Sequence, residues 1–268
     1  MAIGASGAQA APAPGALTPA ERARVHEEAA DILGGYSNVV SRWDGPIRSL
    51  VIGGRDGDAA RVARETLAEV VAQTSLAHLP LHRATTDVAP YVDAIRREPD
   101  YRFASACEPP ARTVCANFVV LISDLAAVRE LADAVPLRAV YRRSLDEAGR
   151  REEPDDDVHC FFAPFQDAGR EIVRAFVFVQ ASLPRDMLRT CLQEEIYQSF
   201  GLFSDVSGSR FFSFDNRVEP KRITAFDRAL LASVYAPEGR PGEPVFVTIA
   251  RFAGRLDAMP AGRGEPAR

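Results

Sequence analysis

The chain has 268 residues, of which 47% are hydrophobic and 26% charged, so it can bury a sizeable core as one large domain or two small ones. The formal net charge of −5 provides no basic surface, which argues against nucleic acid as a partner. No apolar run approaches the roughly 20 residues that a membrane-spanning helix needs, so the sequence predicts no transmembrane segment.

Residues 1–17 are predicted to be a disordered arm or the remnant of a signal peptide. They are rich in Ala, Gly and Pro, and Ala8-Gln9-Ala10 has the form of an A-x-A cleavage site. The basic start and long apolar centre of a complete signal peptide are missing from this stretch. The export hypothesis therefore requires a leader absent from this sequence, and it expects a periplasmic, secreted or lipid-anchored protein.

The helical and strand periodicities predict one α/β domain over residues 18–257, followed by a loose tail at 258–268. The acidic stretch 144–157 is interpreted as a solvated connector. Helices are predicted at 18–34, 58–74, 125–134, 186–200, 223–235 and 245–256, strands at 46–53 and 117–123, and a hairpin from 160–164 and 172–179.

Four cysteines form two candidate disulfides. Cys107 and Cys115 flank a loop bent by two prolines, and Cys160 and Cys191 lie on either side of the predicted hairpin. An even count with plausible partners favours two disulfides and an oxidising compartment, and four reduced thiols are the alternative. None of the spacings is C-x-x-C, which disfavours a thiolate zinc site.

The predicted helix at 186–200 carries the pattern with the most chemical content, Glu194-Glu195-x-x-Gln198. Residues four apart share one face of a helix, so Glu194 and Gln198 lie one turn from each other, with Glu195 one step round. Zinc peptidases with an H-E-x-x-H helix place two histidine ligands at this spacing, and the intervening Glu takes a proton from the metal-bound water.

The order of elements from residue 43 to 235 resembles the catalytic domain of the metzincin branch of zincins. It is also similar to a bacterial family of domains of unknown function, the one numbered 2927, mainly over 169–179, E-E-x-x-Q-x-x-G-L and 223–237. The first resemblance implies a zincin-like fold, in which a mixed twisted sheet packs on helices, with a motif helix and a smaller C-terminal helical lobe. The second implies an exported or lipid-anchored protein.

The zinc-binding residues of the metzincin pattern are replaced in this chain. Glu194 and Gln198 stand where the first two histidines would be, Asp205 follows the third ligand position by one residue, and Glu195 keeps the position of the general base. Carboxylate and amide oxygens suit calcium, magnesium or manganese better than zinc. The expected cofactor is therefore none, or a divalent metal held by Glu194, Gln198 and Asp205, and only His159 is close enough in sequence to add an imidazole.

Three functions stay open at this point. The site can be non-catalytic, with its carboxylates and amide bonding neighbouring loops; it can be a metal-dependent hydrolase that uses Glu195 as general base; or the domain can bind a peptide or a cell-envelope component. The binding hypothesis expects an edge strand near residues 170–179 and a wide cleft beside Arg174 and Tyr197.

Overall fold

The computed structural model describes residues 17–34, 37–53, 57–80, 116–124, 160–204, 206, 211 and 223–259. The predicted helix at 125–134, the acidic connector and the pair Cys107 and Cys115 lie outside these ranges. The elements are α1 (Pro19–Gly34), β1 (Ile47–Gly53), α2 (Asp58–Ala72), β2 (His78–Pro80), β3 (Phe118–Ser123), β4 (Cys160–Gln166), β5 (Ile172–Gln180), α3 (Arg185–Gln198), α4 (Ala225–Val234) and α5 (Val245–Asp257).

The five strands form one mixed sheet in the order β2-β1-β3-β5-β4, which confirms the α/β class. Strands β2, β1, β3 and β5 run parallel to one another, and β4 pairs with β5 in the antiparallel sense as the predicted hairpin. Nearly every residue of β3 and β5 is buried, because inner strands of a largely parallel sheet are covered on both faces.

The prediction that residues 170–179 form an edge strand is wrong, because β5 lies between β3 and β4, and β4 forms that edge of the sheet. The amide of Ala175 donates to the carbonyl of Asn117 on the β3 side, 2.9 Å away. The backbone of Pro164, which lies opposite Ala175, therefore faces the outer edge, where a residue without an N–H group is tolerated. The sequence showed both strands of the hairpin but not which of them lies outside.

One continuous core joins the helices to a single face of the sheet. Helix α3 packs on α2, β4 and β5, while α4 packs on α5 and α5 on α1. The core contains buried side chains from all five helices, among them Val25, Leu67, Leu192, Leu231 and Phe252. The two C-terminal helices therefore share their core with the sheet. Within the described ranges, no helix is long and apolar enough to cross a membrane.

A disulfide between Cys160 and Cys191 joins the first residue of β4 to the middle of α3. Their Cα atoms lie 5.8 Å apart, a usual separation for such a bond. This confirms one of the two cysteine pairs that the sequence suggested. The disulfide fixes the edge strand to the helix that carries Glu194, one turn before that residue.

Replacing both Cys160 and Cys191 with alanine is expected to lower the free energy of unfolding by about 3–4 kcal/mol. The bond spans 31 residues of sequence, and closing a loop of this length restricts the unfolded chain by that amount. Urea unfolding of the oxidised protein and the double variant measures the difference, and equal midpoints would contradict a stabilising role.

Candidate functional site

The motif of Glu194, Glu195 and Gln198 occupies the last turn of α3, as the helical spacing predicts. All three side chains are buried, with exposed fractions of 4%, 6% and 4%. Asp205, the remaining predicted ligand, lies outside the described residues. The structure thus places three of the four candidate site residues together, in the interior of the protein.

The burial extends over every face of this turn. Residues 194–202 form an unbroken run of buried positions, in contrast to the first turns of α3, which have an exposed side. A surface helix keeps a polar face in water, so a turn buried all round belongs to the interior. The oxygen atoms of the motif therefore face protein rather than solvent.

The carbonyl groups of the two residues directly after α3 accept hydrogen bonds from other parts of the chain, whereas the last carbonyls of the helix itself accept from the local backbone. The indole nitrogen of Trp43 donates to the carbonyl of Ser199 at 3.0 Å, and the hydroxyl of Tyr235 donates to the carbonyl of Phe200 at 3.2 Å. The hydroxyl of Tyr235 also accepts the backbone N–H of Trp43 at 3.1 Å. Two aromatic residues, almost 200 positions apart, thus close the end of the motif helix.

Gly201 completes the turn after the motif helix. Its φ of 101° lies in the left-handed region, and a Cβ atom there would stand 2.1 Å from the carbonyl oxygen of Ser41. Only glycine allows both this backbone conformation and this close approach. The segment around Ser41 therefore packs directly against the backbone at the end of α3.

A buried arginine fastens the same segment to the end of α4. The guanidinium of Arg42 donates to the carbonyls of Val234 at 2.7 Å and Trp43 at 3.3 Å, and it lies 4.7 Å from the ring centroid of Tyr235. The sequence did not indicate these contacts, because Arg42 and Trp43 lie in a connector without helical or strand periodicity. The sequence offered one signal of these contacts, namely that a tryptophan and an arginine are adjacent in this connector.

The motif turn is also joined to the start of α4. The hydroxyl of Tyr197 donates to the backbone carbonyl of Asp227, whose carboxylate accepts hydrogen bonds from the amide and hydroxyl of Thr224 in a capping box. Burial, followed by the neighbouring carboxylate of Asp227, raises the pKa of Tyr197 well above its ordinary value. The phenol therefore stays protonated and remains a donor over the physiological pH range.

The cleft expected beside Arg174 and Tyr197 is not lined by these side chains. Arg174 on β5 is 2% exposed and Tyr197 on α3 is 1% exposed. Both residues belong to the interior of the protein, so neither can contact a bound peptide at the surface. The sequence could not predict this, because a Tyr in an amphipathic helix and an Arg in a strand both have polar ends that usually reach water.

The side-chain atoms that the motif could offer as metal ligands do not fit zinc. Zinc sites in proteins use imidazole and thiolate, whereas this turn offers two carboxylates and one amide. In the part of the chain that the structure describes, no three His, Cys, Asp or Glu side chains are grouped so that they could hold a metal ion. The described histidines, His26 and His78, lie on α1 and β2, and His159 lies outside the described residues.

A family model described as "Protein of unknown function (DUF2927)" matches residues 22–245. The chain belongs to this family. The match includes the whole sheet and the motif helix, as the resemblance over E-E-x-x-Q-x-x-G-L implied. No curated protein and no solved structure matches the chain.

Gly201→Ala is expected to lower the free energy of unfolding by about 3 kcal/mol or more, because a Cβ atom would add backbone strain and a clash with Ser41. Gly254→Ala is the matched control: this glycine lies inside α5 with nothing within 4 Å of the added atom. That variant is expected to gain about 0.5–1 kcal/mol from its helix position. Similar changes at both positions in urea unfolding would contradict the packing at Gly201.

Tyr235→Phe is expected to cost about 1–3 kcal/mol, since the N–H of Trp43 and the carbonyl of Phe200 would both lose a buried hydrogen-bond partner. The variant keeps the ring that packs on Phe200, with centroids 6.1 Å apart, so the loss isolates the hydroxyl. Thermal and urea unfolding measure the effect. A change below about 0.5 kcal/mol would show that the hydroxyl does not hold the helix end.

Proposed function

We propose that this DUF2927 protein is an exported, non-catalytic protein in which Glu194, Glu195 and Gln198 hold the fold together. The observation that carries the proposal is the burial of all three side chains. A general base must reach the proton that it removes, directly or through one water, and side chains that are 4–6% exposed have little access to substrate or bulk water.

The physical chemistry of buried charge supports the same conclusion. A carboxylate inside a protein is costly unless it is hydrogen-bonded or paired. Each of the three motif residues takes part in an interaction within the protein. Two carboxylates and an amide in one helical turn can accept several hydrogen bonds, so a change to one member is expected to disturb the buried interactions of this turn.

We infer a zincin-like scaffold that has kept its architecture and not its metal site. The element order that carried the resemblance, namely strand, helix, strand, hairpin and motif helix, is found along this chain with the short strand β2 added before the second strand. The antiparallel strand of the hairpin lies at the edge of an otherwise parallel sheet, and the motif helix follows directly. This support is architectural, whereas the function is argued from the site residues.

Export is supported by the disulfide. Disulfides persist in oxidising compartments and are rare in the cytosol, where thiols are kept reduced. The Cys160–Cys191 bond lies in the core region of the molecule, where Cys191 is buried against the sheet. A structural bond at this position favours the periplasm or the cell exterior as the place where the protein works.

The peptide-binding alternative receives less support from the exposed edge. An added strand needs a continuous row of backbone donors and acceptors. Pro164 removes a donor from the middle of the outward-facing row of β4, and the register shifts at Phe165/Gln166. Both features are among those by which proteins protect an edge strand from pairing.

The test compares Glu195→Gln with Glu27→Gln, a matched change at an exposed position of α1. If Glu195 is structural, the first variant is expected to lose about 1–3 kcal/mol in urea unfolding, while the second changes by less than about 0.5 kcal/mol. A catalytic glutamate would behave in the opposite way, because active-site residues are selected for activity at the expense of stability.

Elemental analysis and a peptidase assay of the wild-type protein complete this test. The proposal expects no stoichiometric divalent metal and no hydrolysis of casein or of peptide libraries. A bound metal near one per chain, together with hydrolysis that Glu195→Gln abolishes without loss of stability, would overturn it in favour of the metal-dependent hydrolase.

A further inference from the structure

Strand β2 is a weakly attached edge strand. It has three residues, pairs with β1 alone among the described strands, and was not predicted from the sequence. Leu79 is 47% exposed and Pro80, also exposed, has no N–H group to donate. A strand that buries so little surface can separate from its sheet at a small free-energy cost.

A hydrogen bond between side chains anchors this strand to the interior. The Nε2 atom of His78 lies 2.9 Å from the hydroxyl oxygen of Ser49 on β1, and Ser49 is buried. The parallel register pairs His78 with Ile47, which places His78 and Ser49 on the same face of the sheet. The contact brings the half-buried imidazole against the edge of the core.

The surroundings of His78 disfavour a positive charge. Strand β1 is the described element that packs on β2, and its charged residue, Arg48, lies on the opposite face because side chains alternate along a strand. Burial lowers the pKa of the His78 imidazole below its ordinary value, and no charged group of the described residues contributes to the shift. The folded edge therefore favours the neutral ring over the charged one.

We propose that His78 makes β2 a pH-sensitive latch, in which protonation of the imidazole detaches β2 from β1. A protonated ring can still donate to the hydroxyl of Ser49, so the hydrogen bond itself is not lost. The cost is the burial of a positive charge without a neighbouring carboxylate among the described residues, and separation of β2 relieves it by returning the imidazolium to water.

The sign of the effect follows from linkage. The imidazole binds its proton more weakly in the attached strand than in the detached one. The contribution of neutral His78 to attachment is therefore fully present above the unperturbed pKa of about 6.5 and is lost as the pH falls through the lower pKa of the attached state. Detachment would expose the backbone of residues 47–49, a parallel strand edge able to accept another strand. The latch would thus couple mild acid to the opening of one sheet edge.

Global unfolding cannot isolate this effect, because another group titrates with the opposite sign. Burial, followed by Asp167 and Asp44, raises the pKa of Glu171 in the folded protein. Protonation of Glu171 therefore favours the folded state on acidification, while protonation of His78 disfavours the attached strand. A local reporter is needed, and the amide of Ile47 provides one because it donates to the carbonyl of Ala77, next to β2, at 2.8 Å.

The experiment follows hydrogen exchange at the Ile47 amide in the full chain at about pH 7.5 and about pH 5, corrected for the intrinsic exchange rates. The wild-type protection is expected to fall several-fold at the lower pH. His78→Gln, which keeps a polar side chain that does not titrate, is expected to show the same protection at both values. His26→Gln, the matched control on α1, keeps the wild-type response.

Ser49→Ala provides a second variant that retains the imidazole. It is expected to lower the protection of Ile47 at both pH values and to keep the pH response, since the charge and not the hydrogen bond drives detachment. Equal wild-type protection at both pH values, or a fall that persists in His78→Gln, would overturn the proposal.

Discussion

The structure depends on how the last turn of α3 is closed. Trp43 and Tyr235 bond the carbonyls of the two residues that follow the helix, while Gly201 lets the chain pack on Ser41. These contacts come from three distant parts of the sequence. The last turn of the motif helix is therefore the point where the N-terminal connector, the sheet and the C-terminal helices meet.

Closure of this turn determines what its side chains can do. An exposed helix with the same residues would present two carboxylates and an amide to solvent, where a metal ion or a water molecule could reach them. In this fold the same residues lie in the interior, one turn after a disulfide that ties the helix to the edge strand. The same residues at the same helical spacing can therefore serve either a catalytic or a structural role, depending on whether the turn that carries them is exposed or buried.

Aromatic packing supports the closure of the motif helix. Trp43, Phe118 of the central strand and Phe200 after the motif helix form a cluster of three rings, with centroids 6.1, 6.4 and 5.7 Å apart. The indole ring lies beside the other two rings, and its nitrogen donates to the carbonyl of Ser199. The large buried ring and its single polar atom both act on the same helix end.

Local signals were sufficient to predict most of the described helices and strands. The capping box at Thr18 and Glu21 marked the start of α1, the apolar run 118–122 marked the central strand, and the helical spacing placed Glu194 near Gln198. Each of these features is decided by residues within a few positions of one another. The Cys160–Cys191 disulfide could also be predicted from the sequence, because two cysteines that flank a hairpin have few alternative pairing partners.

The features that were missed or wrong depend on contacts between distant residues. The outer strand of the hairpin, the burial of Arg174 and the Arg42–Tyr235 contact all depend on which surfaces meet after folding. Strand β2 was missed because three residues ending in proline have no periodicity to detect. The burial of the motif belongs to the same class, because a helix with Glu194 and Glu195 has a polar pattern typical of a solvated face.

The measurement that tests this account most directly is native-state hydrogen exchange of the amides of residues 199–202 as a function of denaturant. The account predicts that these amides exchange only through global unfolding, with the free energy and denaturant dependence of the whole protein. Exchange of these amides through a local opening, with low free energy and little dependence on denaturant, would contradict the account. It would show that Glu195 becomes accessible to solvent and can act as a catalytic base.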